Sequence, residues 1–241
     1  QVNFYGAERM VRINQIPKGL EDLDFVVPHK ANLILIPKVE SAEQIQLVEE
    51  RIALLREEHN SNHPVWLMPI LESATGVVNA YEIATASNNI AALAIGLEDY
   101  TADLGARRTQ DAWESFYARS ALVNAAKAAG IQAIDSVFSD VDDMEGLSKT
   151  IQTSKSLGFE GMGCIHPRQI PIIHKNYAPD RDELDKAKKI VMAFDDAQEK
   201  GLGVVSLGSK MIDPPVVKRA QKLIEIALDI GILDENWKLE R

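Results

Sequence analysis

A single cysteine, Cys164, is all the thiol chemistry in 241 residues. That excludes an internal disulfide framework and any clustered-thiolate zinc site, both of which need several Cys, or Cys with His, at fixed spacing. Cys164 is therefore expected as a small buried apolar residue. No apolar run approaches the ~20 residues that a membrane-crossing helix needs, and residues 1–20 lack the basic-then-apolar layout of a secretory leader. A cytoplasmic protein with no membrane partner is the expectation. Basic charge is scarce too: 26 Lys and Arg face 36 Asp and Glu, a net charge of −10. A nucleic-acid footprint shows clustered Lys and Arg in excess, so no nucleic-acid partner is expected. An anionic substrate would have to be met by local cations or by a metal ion.

What is present reads as an ordinary globular chain. Hydrophobic residues make up 46% and charged residues 26%, enough to bury a sizeable core. Six short apolar runs recur, each followed by a polar turn and a stretch of helical period. They are Met10–Asn14, Leu33–Val39, Val65–Leu71, Ile90–Leu97, Gln132–Phe138 and Gly161–Ile165. Their nearly continuous apolar character suits strands of a parallel sheet buried on both faces, and alternation with helices makes the class α/β. Ser41 with Gln44 forms a capping box ahead of the stripe Ile45, Val48, Ile52 and Leu55. Asp180 with Glu183 signals another helix, carrying Leu184, Ala187, Val191 and Phe194 on one face and stopping at Gly201.

A TIM-type (β/α)8 barrel needs eight strands, so the six runs imply a barrel lacking its first two strands in this chain; a six-stranded open sheet is the alternative. Residue 1 is Gln, and the opening reads like the end of a loop or helix, which places the missing units before it. Residues 1–200 are expected to form the barrel. Residues 201–241 form a separate C-terminal segment, with a Gly-Leu-Gly turn, the apolar run Val204–Leu207, the Pro214-Pro215 break and a helix from about Val216 to Ile230. Such a segment is a candidate for packing on a neighbouring subunit.

In β/α barrels the active site lies at the C-terminal ends of the strands. Arg12, Lys38 and Glu40, Glu72, and Glu98 with Asp99 all stand at or just beyond the ends of apolar runs. Carboxylates converging from different strand ends repel one another, and a hard dication such as Mg²⁺ relieves this while leaving coordination positions for substrate oxygens. The plain alternative is that each such carboxylate caps a helix or sits solvated in a loop.

The motifs Val-Arg-Ile-Asn, Leu-Ile-Pro-Lys-Val-Glu-Ser, Ile-Leu-Glu-Ser-Ala-Thr-Gly-Val-Val-Asn-Ala, Gly-Leu-Glu-Asp-Tyr-Thr-Ala-Asp-Leu-Gly, Ile-His-Pro-Arg-Gln-Ile and Lys-Met-Ile-Asp-Pro-Pro-Val-Val occur here in that order. Set together, they resemble the citrate lyase beta-subunit family of the HpcH/HpaI aldolases from about residue 10 to residue 232. That family has an N-terminal Leu-Asp-Leu-Glu-Asp-type motif which this chain lacks. The resemblance implies a β/α barrel and a Mg²⁺-dependent carbon–carbon lyase. By motif, Glu72 and Asp99 resemble the metal ligands, Glu72 also lying against substrate, and Arg12 resembles the arginine that binds the substrate's carboxylate or oxo group. The bottom-up role agrees, because arginine presents a planar fork suited to bidentate carboxylate recognition. Glu98 is expected outside the ligand set, since neighbours in a strand point in opposite directions.

Asp213 resembles an acid that reaches the active site from an adjacent subunit and transfers a proton, and it also reads as the N-cap of a helix with Pro at N1. Lys38, Asp135 and His166 are candidates for lining a thioester pocket; His166 before Pro167 reads equally as a hydrogen-bonded scaffold residue. The implied reaction cleaves a citryl thioester, on a carrier protein or on CoA, into an acetyl thioester and oxaloacetate. Implied partners are further copies of the chain, as a trimer or hexamer, and acyltransferase and acyl-carrier subunits. A stand-alone malyl-CoA or citramalyl-CoA lyase is the first alternative. A non-catalytic assembly or regulatory barrel is the second.

Overall fold

A computed structural model describes residues 4–109, 111–201, 205–207 and 210–238. They divide into two compact units, Gln1–Ile173 and His174–Arg241. The first alternates strand and helix: β1 (Met10–Arg12), α1 (Gly19–Val26), β2 (Leu33–Ile36), α2 (Ala42–Glu58), β3 (Trp66–Leu71), α3 (Ala74–Val78), α4 (Ala80–Ala84), β4 (Ala92–Ile95), α5 (Leu97–Leu104), α6 (Trp113–Ala129), β5 (Gln132–Asp135), α7 (Met144–Leu157) and β6 (Gly161–Met162). A 3₁₀ turn, Pro167–Gln169, leads into α8 (Ile170–Tyr177).

All six strands pair in parallel and in chain order, β1 to β6. Parallel crossovers are almost always right-handed. Six strands added in one direction with one hand of crossover must therefore carry their helices on a single face. Side-chain packing follows that division. Ile34, Ile36, Leu67, Leu71, Leu93 and Ile95 pack with helix residues Ile45, Val48, Ile52, Ile83, Leu122 and Ala126. The alternate positions Leu33, Met68, Ile70, Ala92 and Ala94, with Leu35 and Ile134 beside them, meet each other on the opposite face. That inner face lines an open cavity of about 1060 Å³, so the sheet is a curled half-barrel.

Each apolar run contains its strand, but the strands are shorter than the runs because pairing ends where the chain turns toward the next helix. The capping boxes form at both predicted places, Ser41 with Gln44 and Asp180 with Glu183. Cys164 departs from expectation: it is exposed, because β6 ends at Met162 and leaves it in the following loop, where its thiol donates to the His166 carbonyl at 3.2 Å. Among the described residues no helix is long and apolar enough to cross a membrane.

The second unit holds α9 (Arg181–Glu199), β7 (Val205–Leu207), β8 (Lys210–Ile212) and α10 (Pro214–Asp229). Leu184, Ala187, Ile190 and Val191 of α9 pack on Val217, Ala220, Ile224 and Ala227 of α10, with Trp237 alongside. The break between units falls at residue 173 rather than 200 because the stripe of α9 is used on α10. Gly201 takes φ 67° just past α9, as a helix-ending glycine does. Strands β7 and β8 form an antiparallel hairpin that the sequence reading did not anticipate. Leu202, Gly203 and Val204 of the predicted turn and run lie outside the described residues, as do Gly208 and Ser209. Helix α10 begins two residues before the predicted Val216, since proline is tolerated in a first turn.

One-sided packing makes a prediction. Ile34→Ala, on the helix side, is expected to destabilise by about 3 kcal/mol in urea denaturation, and Leu35→Ala, on the inner face, by less than about half of that. Equal losses would contradict the assignment of the two faces.

Candidate active site

The register puts the candidate residues at one end of the sheet. Arg12 is the last residue of β1 and pairs with Leu35, which pairs with Met68. Side chains in register share a face, so Arg12 stands on the inner face with Leu35 and Met68. Glu72 follows β3, two residues after inward-facing Ile70, and lines the same cavity as Arg12. Arg12 is exposed, and among the described residues it engages no carboxylate or carbonyl. Its charge nonetheless acts on Glu72.

Glu72 is half-buried and held from two sides. Its Oε2 accepts the Lys38 backbone N–H at 2.9 Å. Lys38 adopts the left-handed region, φ 51°, the conformation in which this N–H reaches Glu72. On the other side lies Gly96: a Cβ there would come within 2.4 Å of Glu72 Oε1 and 2.7 Å of its Cγ. Glycine is the residue that leaves room for the carboxylate. Gly96 also donates its N–H to the Leu71 carbonyl at 2.9 Å, tying the end of β4 to the residue before Glu72.

Glu98 and Asp99 lie in the first turn of α5, not in a strand, because β4 stops at Ile95 and Gly96 is the N-cap. They separate by helical rotation. Glu98 turns to Arg108, whose Nη1 donates to Glu98 Oε1 at 3.0 Å, while Asp99 turns to Lys38, whose Nζ lies 2.9 Å from Asp99 Oδ1. Both members of that pair are about half exposed, so the contact contributes little stability. It does raise the Lys38 pKa above the usual lysine value, chiefly through the hydrogen bond to Asp99.

Burial pushes the Glu72 carboxyl above the ordinary glutamate value, the Lys38 backbone hydrogen bond opposes this, and the neighbouring Asp99 charge raises it further. Two carboxylates sense each other at one half-buried mouth, which fits a small divalent cation. Among the described residues no three His, Cys, Asp or Glu side chains gather as a metal cage. Mg²⁺ sites commonly use one or two carboxylates and leave the remaining octahedral positions to water and substrate oxygens. Glu72 and Asp99 fit that pattern.

The other candidates are placed differently. Asp135, last in β5, is 3% exposed and its two oxygens are taken by the guanidinium of Arg119, with Nε donating to Oδ1 at 3.2 Å and Nη2 to Oδ2. Its carboxylate is committed inside the wall, although the residue borders the inner cavity and a second one of about 640 Å³ beside α5. His166 behaves as a scaffold: its Nδ1 accepts the Arg168 N–H at 3.2 Å at the start of the 3₁₀ turn. Glu40 accepts the Ser73 hydroxyl at 2.5 Å. Asp213 occupies the N-cap position of α10 and is exposed; its carbonyl accepts from Val216 and Val217, but its side chain makes no capping hydrogen bond.

Sequence reading missed Arg119 and Ser136. The one available signal was an arginine on the buried stripe of α6, among Ser115, Ala118, Leu122 and Ala126, where a charge needs a partner.

A family model described as HpcH/HpaI aldolase/citrate lyase matches residues 1–167. A citrate lyase subunit beta of Leuconostoc mesenteroides subsp. cremoris is 39% identical over 240 residues, covering 98% of this chain and 79% of that protein. A mitochondrial citramalyl-CoA lyase of Rattus norvegicus is 32% identical, over 93% of this chain and 70% of its own length. A solved citrate lyase beta subunit from M. tuberculosis, complexed with oxaloacetate and magnesium, aligns at TM-score 0.59 and 33% identity over 70% of this chain and 73% of that one.

A carboxyl whose pKa is raised on folding binds its proton more tightly folded than unfolded, so the ionised form destabilises the fold at neutral pH. Glu72→Gln removes that charge and keeps an oxygen for the Lys38 N–H. It is expected to raise the melting temperature, while abolishing Mg²⁺ binding in calorimetry. A lower melting temperature would contradict the electrostatic reading.

Proposed function

The chain belongs to the HpcH/HpaI aldolase/citrate lyase family, and from that premise we propose that it is a carbon–carbon lyase cleaving a citryl thioester into an acetyl thioester and oxaloacetate. The observation that carries this reading is the meeting of three groups at the end of one sheet: the fork of Arg12, which engages no carboxylate or carbonyl among the described residues, half-buried Glu72, and Asp99 on α5.

Glu72 and Asp99 would hold Mg²⁺, which when bound supplies Lewis-acid stabilisation of the negative charge that develops as the hydroxyl carbon becomes a ketone. Arg12 binds the carboxylate beside that carbon in bidentate fashion and fixes which bond faces the inner cavity. The apolar strip Leu33, Leu35, Met68 and Ile70 lies next to it and limits water around the reacting centre. The hydroxyl proton passes to solvent water, and the electrons of the breaking carbon–carbon bond pass to the thioester as an enolate while the hydroxyl carbon becomes the ketone. The enolate carbon takes up one proton in return, so that no net proton is gained or lost. We assign that last transfer to the carboxyl group of Asp213 from a neighbouring copy, in a homotrimer or hexamer.

We further propose that the six-stranded sheet is part of a closed eight-stranded barrel, on the support of its strand order and its uncovered inner face. The thioester is carried by an acyl-carrier subunit working beside an acyltransferase subunit, and the cytoplasm is the compartment, in keeping with an exposed free thiol. A stand-alone citramalyl-CoA lyase is the second reading, favoured by the 32% identity to the rat enzyme. The intact Arg12, Glu72 and Asp99 set speaks against a non-catalytic barrel.

Full-length protein is expected to release oxaloacetate from citryl carrier protein only with Mg²⁺, and Arg12→Lys and Asp99→Ala are each expected to lower kcat/KM about 100-fold or more. Cleavage confined to a CoA thioester would transfer the assignment to the CoA lyases. Activity untouched by both substitutions would overturn the site.

A further inference from the structure

Helix α5 carries Asp99 but starts without a side-chain cap, since its N-cap is Gly96. The first N–H groups of any helix need acceptors from elsewhere. Leu97, the first residue of α5, donates its N–H to Ser136 Oγ at 3.2 Å, in a buried contact reaching 39 residues along the chain. Ser136 is the residue after β5, and its own N–H donates to Asp135 Oδ1 at 2.8 Å. Asp135 is clamped in turn by Arg119 of α6, which is 3% exposed and lies 5.6 Å over the ring of Phe159. A rigid chain of contacts thus runs from the core side of α6 to the first turn of α5.

We propose that Ser136, held through Asp135 by Arg119, is the borrowed N-cap of α5 and a positioning residue for Asp99 at the divalent-cation site. The inference rests on the magnesium reading given above. The first turn of α5 is anchored twice, once by the Gly96 N–H on Leu71 beside Glu72, and once by Leu97 on Ser136. The first anchor sets the turn against the Glu72 strand. The second sets its rotation, and with it the direction of the Asp99 carboxylate. Buried partners that orient metal ligands without touching the metal commonly change its affinity by about 10- to 100-fold.

The test is Mg²⁺ titration of the full chain by calorimetry, with thermal melts alongside. Ser136→Ala, which removes the acceptor, and Ser136→Cys, a near-isostere and weak acceptor, are expected to weaken the Mg²⁺ Kd about tenfold or more. Ser136→Thr keeps the hydroxyl, and because Ser136 borders both cavities its extra methyl group has space; its Kd is expected to stay near wild type. Ile34→Ala, destabilised on the far side of the sheet, is expected to bind Mg²⁺ normally. Wild-type affinity in Ser136→Cys, or equal weakening in Ser136→Thr, would overturn the positioning role while leaving the metal site standing. Undiminished binding in Asp99→Ala would remove the metal reading and this inference with it.

Discussion

Two carboxylates from successive strand–helix units repel each other, and a half-buried mouth weakens the screening that water would supply. Glu72 and Asp99 are in that position, and Glu72 is held above the ordinary carboxyl range as a result of burial and of its neighbour. Most of the local architecture is a response. Lys38 gives its backbone N–H to one carboxylate and its ammonium to the other. Gly96 surrenders a side chain so that Glu72 fits. Arg12 brings a second cation without closing on either partner. Natural sites concentrate such tension where a ligand later relieves it.

The topology makes this arrangement available. A parallel sheet wound in one direction puts its helices on one face and leaves a concave inner face, and every strand delivers its outgoing loop to the same end. Arg12, Lys38, Glu72, Asp99 and Ser136 come from five different strand ends: Arg12 closes β1, and each of the others lies only a few residues past its strand. The covered face contributes rigidity through Ile34, Ile36, Leu67 and Leu93 against α2, α4 and α6. The open face contributes space and an apolar wall.

Much of this was legible beforehand because it is periodic or local. Apolar runs revealed every strand of the sheet, and two capping boxes located helix starts to the residue. Arg12, Glu72 and Asp99 stood out as charges at the ends of apolar runs. What escaped was set by contacts distant in sequence. Glu98 and Asp99 looked like strand residues, but β4 ends before them and helical rotation decides their partners. Asp135 looked free until Arg119, sixteen residues earlier, took both its oxygens. Ser136 carried no local signal at all, since its partner Leu97 lies on another β/α unit. The first compact unit ends at Ile173, and an amphipathic stripe such as that on α9 does not by itself say which surface it will cover.

In the proposed site Glu72 and Asp99 share one divalent ion. Crystals of the full chain grown with Mn²⁺ in place of Mg²⁺ and with oxaloacetate would show the ion by anomalous scattering. The prediction is one peak bonded to an oxygen of Glu72 and an oxygen of Asp99, with the Lys38 ammonium moved off Asp99. A peak held by only one of these carboxylates, or located elsewhere, would contradict the account.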